Sequence, residues 1–176
     1  MDSNTTMSPV TFHVGPTGIT GTTEAPPAPP RSCGPCTLCC KVMAIKDPEL
    51  EKPKDVWCQH AKKGCGCGIY DTRPSICRGF ECMWLGGEFG RYAEFRPDKI
   101  HGLLTPTTDG KNFVVHEDPG YERHAREALK DFIDRWLAVE PEHYVIVVCG
   151  IKRAFLGNRD KYQRLLAAGV EEVVPK

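Results

Sequence analysis

Apolar and polar residues alternate in distinct ways along this chain. Between Tyr121 and Val139, the apolar residues Ala125, Ala128, Leu129, Phe132, Ile133, Trp136 and Leu137 recur at intervals of three and four. Glu122, Arg126, Lys130, Asp131 and Arg135 fill the gaps, so the pattern predicts an amphipathic helix over about 121–139, entered through Asp118-Pro119-Gly120. Tyr144–Cys149 (YVIVVC) is almost wholly apolar and is bounded by Pro141 and Gly150, as suits a buried strand. Ile100–Leu104 and Asn112–His116 read as two strands joined by the turn-rich TPTTDGK. Residues 159–168 form a last short helix ending at Gly169. There is no internal repeat.

Neither period governs Ser32 to about Leu85, where Gly and Pro recur as in loops wrapped around a centre. One short helix is expected after Cys40 or from Asp71, where Asp-x-x-Pro resembles a helix start. Residues 1–31 are rich in Thr, Pro and Gly and end in EAPPAPPR, with too few apolar side chains to bury, which predicts a disordered or extended tail. The division expected is a tail over 1–31, a cysteine-cluster metal-binding domain over 32–157, and a short helix and tail over 158–176. The fold class is α+β, with a loop-rich, metal-nucleated cysteine segment packed on a small sheet with one main helix.

Charge narrows the function. Lysine plus arginine equals aspartate plus glutamate, 23 each, so no global field draws in nucleic acid or an anionic membrane. No apolar run approaches the roughly 18–20 residues that span a bilayer. The N-terminal stretch lacks the basic start and apolar core of a signal peptide. A cytoplasmic location is therefore expected, and there thiols stay reduced. That matters for ten cysteines, because clustering in a reducing compartment points to metal rather than to disulfides.

Cys33-Gly-Pro-Cys36-Thr-Leu-Cys39-Cys40 places four thiols in eight residues. Two-residue spacing lets one turn present two sulfurs to the same ion. Soft thiolates select zinc, copper(I) or iron–sulfur centres over magnesium or calcium. Cys58 in WCQH, Cys67 in CGIYDTRP, Cys77 in ICRGF and Cys82 in FECMW complete eight candidate ligands, enough for two four-thiolate sites or one cluster with thiols to spare. Consecutive side chains diverge, so the Cys39-Cys40 pair is expected to divide between two centres or to bridge them. Few apolar residues accompany these cysteines, and metal is expected to decide whether the segment folds.

The run CxxCxxCC, then WCxH, then CxIYxxRPxxCRxFxCxW resembles the cysteine-cluster family described as a zinc- or iron-chelating domain. The resemblance covers residues 33–85 by motif, and Arg96-Pro97-Asp98 is compatible with longer members. It implies metal chelation by Cys33, Cys36, Cys39, Cys40, Cys58, Cys67, Cys77 and Cys82. It also implies two alternatives: an iron–sulfur oxidoreductase or electron carrier, and, through related clusters in flagellin lysine methylases, a methyltransferase-like modifying enzyme. Cys65, two positions before Cys67, departs from the family pattern, and either of the two can ligate.

Other residues carry less. Arg73 and Arg78 flank the late cysteines and suit either charge compensation around thiolates or ordinary surface pairs. His60 suits a solvated position, or one that supports a ligand, more readily than ligation itself. Cys149, at the end of YVIVVC, reads as a packed thiol. Trp57, Tyr70, Phe80 and Trp84 read as walls of the metal site and as core. His101, His116, His124 and His143 are scattered, without an HExxH or a Ser/His/Asp arrangement, and no nucleotide-binding motif is present. A protein partner fits a structural zinc or iron role; nucleic acid, nucleotide and membrane are not expected partners.

Overall fold

The computed structural model describes residues 12–15, 18–21, 31–87, 93–170 and 173. The fold is α+β. At its centre the YVIVVC run forms β9 (Tyr144–Cys149), with all six residues buried. Burial on both faces follows from its interior place in a four-stranded sheet ordered β10 (Lys152–Gly157), β9, β8 (Phe113–Glu117), β7 (Gly102–Pro106). β7–β8 and β9–β10 are antiparallel hairpins, whereas β8 and β9 run parallel, with Phe113 opposite Val145 and Val115 opposite Val147. A parallel step needs a long crossover. It is supplied by α4 (His124–Ala128) and α5 (Lys130–Val139).

Side-chain alternation gives the sheet two apolar faces. Phe113, Val115, Val145 and Val147 pack with Ala125, Leu129, Phe132, Ile133 and Trp136 of the crossover. Val114, Tyr144, Ile146 and Val148 pack with Tyr162, Leu165, Leu166 and Val170, in and after α6 (Arg159–Ala167). The C-terminal helix thus forms as expected, with Gly169 in the left-handed conformation at its end.

Three expectations are corrected. The helix over 121–139 is not continuous: Pro119–Tyr121 is a 3-10 turn, Arg123 is left-handed (φ 76°), and Leu129 (ψ 4°) separates α4 from α5. Glu117 fixes the entry into α4. Its buried carboxylate accepts the backbone N–H groups of Arg123 and Arg126, both at 3.2 Å, and the Arg126 guanidinium at 3.1 and 2.7 Å. These bonds pin the helix start to the end of β8. Second, Ile100 belongs to a short helix, α3 (Pro97–Ile100), and the hairpin strands begin later than read, at Gly102 and Phe113. Third, β10 was not foreseen. Its signal was Gly150, whose positive φ (58°) makes the two-residue turn with Ile151 that returns the chain from Cys149 to Lys152.

Most of the 1–31 tail lies outside the described residues; within it β1 (Phe12–Gly15) and β2 (Gly18–Gly21) pair as an antiparallel hairpin.

The cysteine segment holds short elements only. Both expected helix positions are occupied: α1 (Cys39–Val42) at the first, and at the second a 3-10 turn (Tyr70–Thr72) followed by α2 (Ser75–Arg78) after Pro74. Two small hairpins, β3 (Ile45–Asp47) with β4 (Leu50–Lys52) and β5 (Ala61–Lys62) with β6 (Gly66–Cys67), were not anticipated. Leu38, Val42, Met83 and Trp84 join the crossover core. Three polar ties fasten the segment down: Met83 N–H to Leu104 O (3.0 Å), Lys41 Nζ to Asp118 Oδ1 (2.5 Å), and Lys54 Nζ to Gly150 O (2.8 Å). Among the described residues no helix is long and apolar enough to cross a membrane.

Candidate metal centre

Local geometry explains how thiols far apart in sequence meet. Cys36 N–H donates to Cys33 O (2.8 Å), closing the first CxxC turn, with Gly34 left-handed (φ 49°) inside it. Gly66 packs directly on that turn: a Cβ there would lie 2.4 Å from Gly34 O. This close approach brings Cys67, the next residue, to the first cysteines. Cys58 N–H donates to Cys40 O (2.8 Å) and tethers the WCQH segment to α1. Cys77 sits on α2, and Cys82 is buried beside the Met83 tie to β7.

All eight candidate ligands, Cys33, Cys36, Cys39, Cys40, Cys58, Cys67, Cys77 and Cys82, line one cavity of about 520 Å³. Cys65 and Cys149 do not: Cys65 is exposed, and Cys149 is buried at the end of β9 beside the charges of Glu117 and Arg126. His60, Tyr70, Phe80 and Trp84 also line the cavity, whereas Trp57 lies under the ammonium groups of Lys41 and Lys63. Arg73 and Arg78 are at the wall and hold the loop: Arg73 donates to Tyr70 O (2.8 Å) and Cys77 O (3.3 Å), and Arg78 to Arg73 O. Among the described residues neither is within ion-pair distance of a carboxylate. No three His, Cys, Asp or Glu side chains among the described residues form a ready-made coordination site; the sulfurs surround a shared space instead.

Within that space the thiols have identifiable neighbours. Cys39 feels the charges of Cys33, Cys36 and Cys40; Cys36 and Cys33 each act on Cys82 or are acted on by it. Cys77 feels Cys40, Cys58 and Cys67. Cys33 in turn feels Cys40, so these neighbourhoods overlap around the one cavity. The adjacent Cys39 and Cys40 both stand in the first turn of α1, where each acts on the protonation of the other.

Burial dominates the protonation of these groups. It pushes the Cys36 thiol up to about 11, against a bond from the Leu38 backbone, and raises Cys33, Cys77 and Cys82. In the coupled pair, the bond to Cys40 and burial raise Cys39, while the Cys39 bond, helped by the Lys52 charge, draws Cys40 down to about 7.

Tyr70, expected as a wall of the site, also serves a sulfur, whereas the other groups that do so were not identified from sequence. Tyr70 hydrogen-bonds Cys33, and the Asp98 backbone N–H, in the first turn of α3, donates to Cys36. Arg96 holds the Asp98 carboxylate by two bonds, at 2.6 and 2.8 Å. Lys52 is buried, with its ammonium donating to Lys41 O (3.0 Å), Met43 O and Pro53 O (2.9 Å), beside Cys40 and Cys58. A buried ammonium near thiols signals a negative neighbour, but in sequence Lys52 is one of many lysines. His101 and His124, read as scattered, meet around Tyr121: His101 stacks on its ring (3.6 Å) and lies 5.7 Å from His124.

The donor set fits a soft metal. Eight thiols, cationic neighbours and N–H donors to sulfur match what thiolate-bound zinc or iron requires, and hard cations prefer oxygen. Compared with known proteins, the chain matches no family model, and no curated protein and no solved structure is significantly similar to it.

Proposed function

We propose that this protein is a cytoplasmic metal-binding protein whose eight cysteine thiolates hold zinc or iron in one or two centres. The observation that carries the reading is selective convergence. The eight cysteines singled out by spacing line a single cavity, and the two outside the pattern stand away from it. The resemblance to the cysteine-cluster family points the same way.

The eight would fill two four-thiolate centres or share one larger cluster, with the adjacent Cys39 and Cys40 placed to join them. Four thiolates around a divalent ion carry a net double negative charge, which the Lys52 ammonium, Arg73 and the Asp98 N–H are placed to offset. Bound zinc would supply structure, because four protein ligands leave no open position; bound iron–sulfur would supply one-electron chemistry.

A second reading, a redox or group-transfer enzyme, is favoured by the cavity's size. Its volume of about 520 Å³ far exceeds a few small ions, given that one water occupies about 30 Å³. Ile45, Leu50, Ile69 and Leu103 make its wall largely apolar, so it has room for an organic group beside the metal.

Elemental analysis and a visible spectrum of protein purified without oxygen test both. The proposal expects zinc or iron at one or two centres per chain, a strong loss in Cys36→Ser and no loss in Cys149→Ser. Absorption from sulfur-to-iron charge transfer selects the redox reading. Protein that folds and binds neither metal, or equal losses in the two variants, overturns the proposal.

A further inference from the structure

A second cavity, of about 1210 Å³, lies between the cysteine segment, the sheet face that carries Val114 and Val148, and the end of α6. Strand register sets its floor. His116 on β8 is opposite Val148 on β9, and Val148 is opposite Arg153 on β10, so the three form one cross-strand row on the same face. Lys54 reaches the cavity from the cysteine segment. Its ammonium donates to Gly150 O (2.8 Å) and lies 3.7 Å from Asp55 Oδ2. Two carboxylates also line the space, Glu81 and Asp109; the latter accepts from Thr107 Oγ1 (2.6 Å) and Lys111 N–H (3.0 Å).

His116 is the unusual group. Its Nε2 is bonded to Thr105 Oγ1 (2.9 Å), while its Nδ1 is buried with no hydrogen-bond partner among the described residues. A buried polar atom without a partner costs about 1–3 kcal/mol in a folded protein. Burial, and then the charges of Lys54 and Arg153, push the imidazole down to about 4. The same two cations repel each other across the cavity. An anion placed among them would relieve that repulsion, let His116 take up a proton and give Nδ1 a partner.

We propose that this cavity binds the anionic group of a small molecule, a phosphate or a carboxylate, through Lys54, Arg153 and His116. The site is separate from the thiol cavity and does not rest on its metal. The two adjoin, however: Met43, Ala44, Gly79, Phe80 and Glu81 line both. A ligand anchored by its anion at the basic row would extend toward the sulfur-lined space.

Nuclear magnetic resonance of the histidine side chains in the full chain tests this, with inorganic pyrophosphate and citrate as probes. The proposal expects a saturable shift at His116, with its titration midpoint rising by about one unit or more as an anion neutralises its neighbours. Lys54→Gln and Arg153→Gln, each checked for an unchanged melting temperature, should weaken binding about tenfold; Lys46→Gln, exposed on β3, should not. Tighter pyrophosphate assigns a phosphate ligand, and tighter citrate a carboxylate. If neither probe moves His116, or if Lys46→Gln weakens binding as much as the other two, the site is rejected.

Discussion

Single residues decide whether the thiols can gather. Gly66 combines a positive φ (108°) with backbone 2.4 Å from where a Cβ would stand. The contact is carbonyl oxygen, which cannot swing aside like a side chain. Gly66→Ala is therefore expected to lower stability by about 1–3 kcal/mol and, on the proposed function, to reduce metal content by displacing Cys67. Urea denaturation with metal analysis checks it; full metal content at unchanged stability would mean that the approach of the two loops is not required. His116 provides the pH-dependent counterpart. Its ordinary value of 6.5 falls to about 4 in the fold, so between these values the unfolded chain carries the extra proton. Stability should then be complete above 6.5 and fall as the pH drops toward 4, by up to about 3 kcal/mol from this one group. Unfolding curves at pH 5 and pH 7, compared with His116→Gln, measure that share, and an unchanged slope in the variant would refute it.

At the scale of elements, the crossover helix rests on two contacts. Gly102 lets β7 lie against α4, since a Cβ would come 2.2 Å from the Ala125 Cβ. Gly102→Ala should cost about 1–3 kcal/mol by overpacking. Glu117→Ala should cost about 3 kcal/mol, because it strips a buried carboxylate from Arg126 and from two backbone donors. Calorimetry that finds either variant as stable as the parent would contradict the packing described. The same elements show what could be read in advance. Apolar spacing revealed the crossover, which buries one face against the sheet, and β9, which is buried on both. The late start of α4 was invisible, since Arg123 and Arg126 are held by Glu117, an acidic residue at the end of another strand. β10 escaped because Lys152 and Arg153 interrupt its alternation. At the candidate centre, the cysteines named by the motif all line the cavity; sequence left Cys65 and Cys67 as alternatives, and only Cys67 is at the cavity wall. The support from Lys52 and the Asp98 N–H is made by folding, and no local sequence feature announces it.

The whole molecule joins a well-packed sheet domain to a cysteine segment of short elements. Two apolar clusters stabilise the former, whereas the latter has one-turn helices, two small hairpins and a sulfur-lined interior. Stripping metal with a chelator is thus expected to expose the amides of residues 33–85 while β8 and β9 stay protected. Hydrogen exchange followed by mass spectrometry reads this directly, and equal protection in both regions after complete metal removal would show that the metal does not hold the segment.

The polar ties between the two parts all run from early to late residues; Lys41 reaches Asp118 and Lys54 reaches Gly150, 77 and 96 positions on. On a ribosome, the thiols therefore emerge well before the platform that shelters them. Until Gly150 has left the exit tunnel, the nascent chain carries its sulfurs without that cover, so its thiols are most open to oxidative damage at birth.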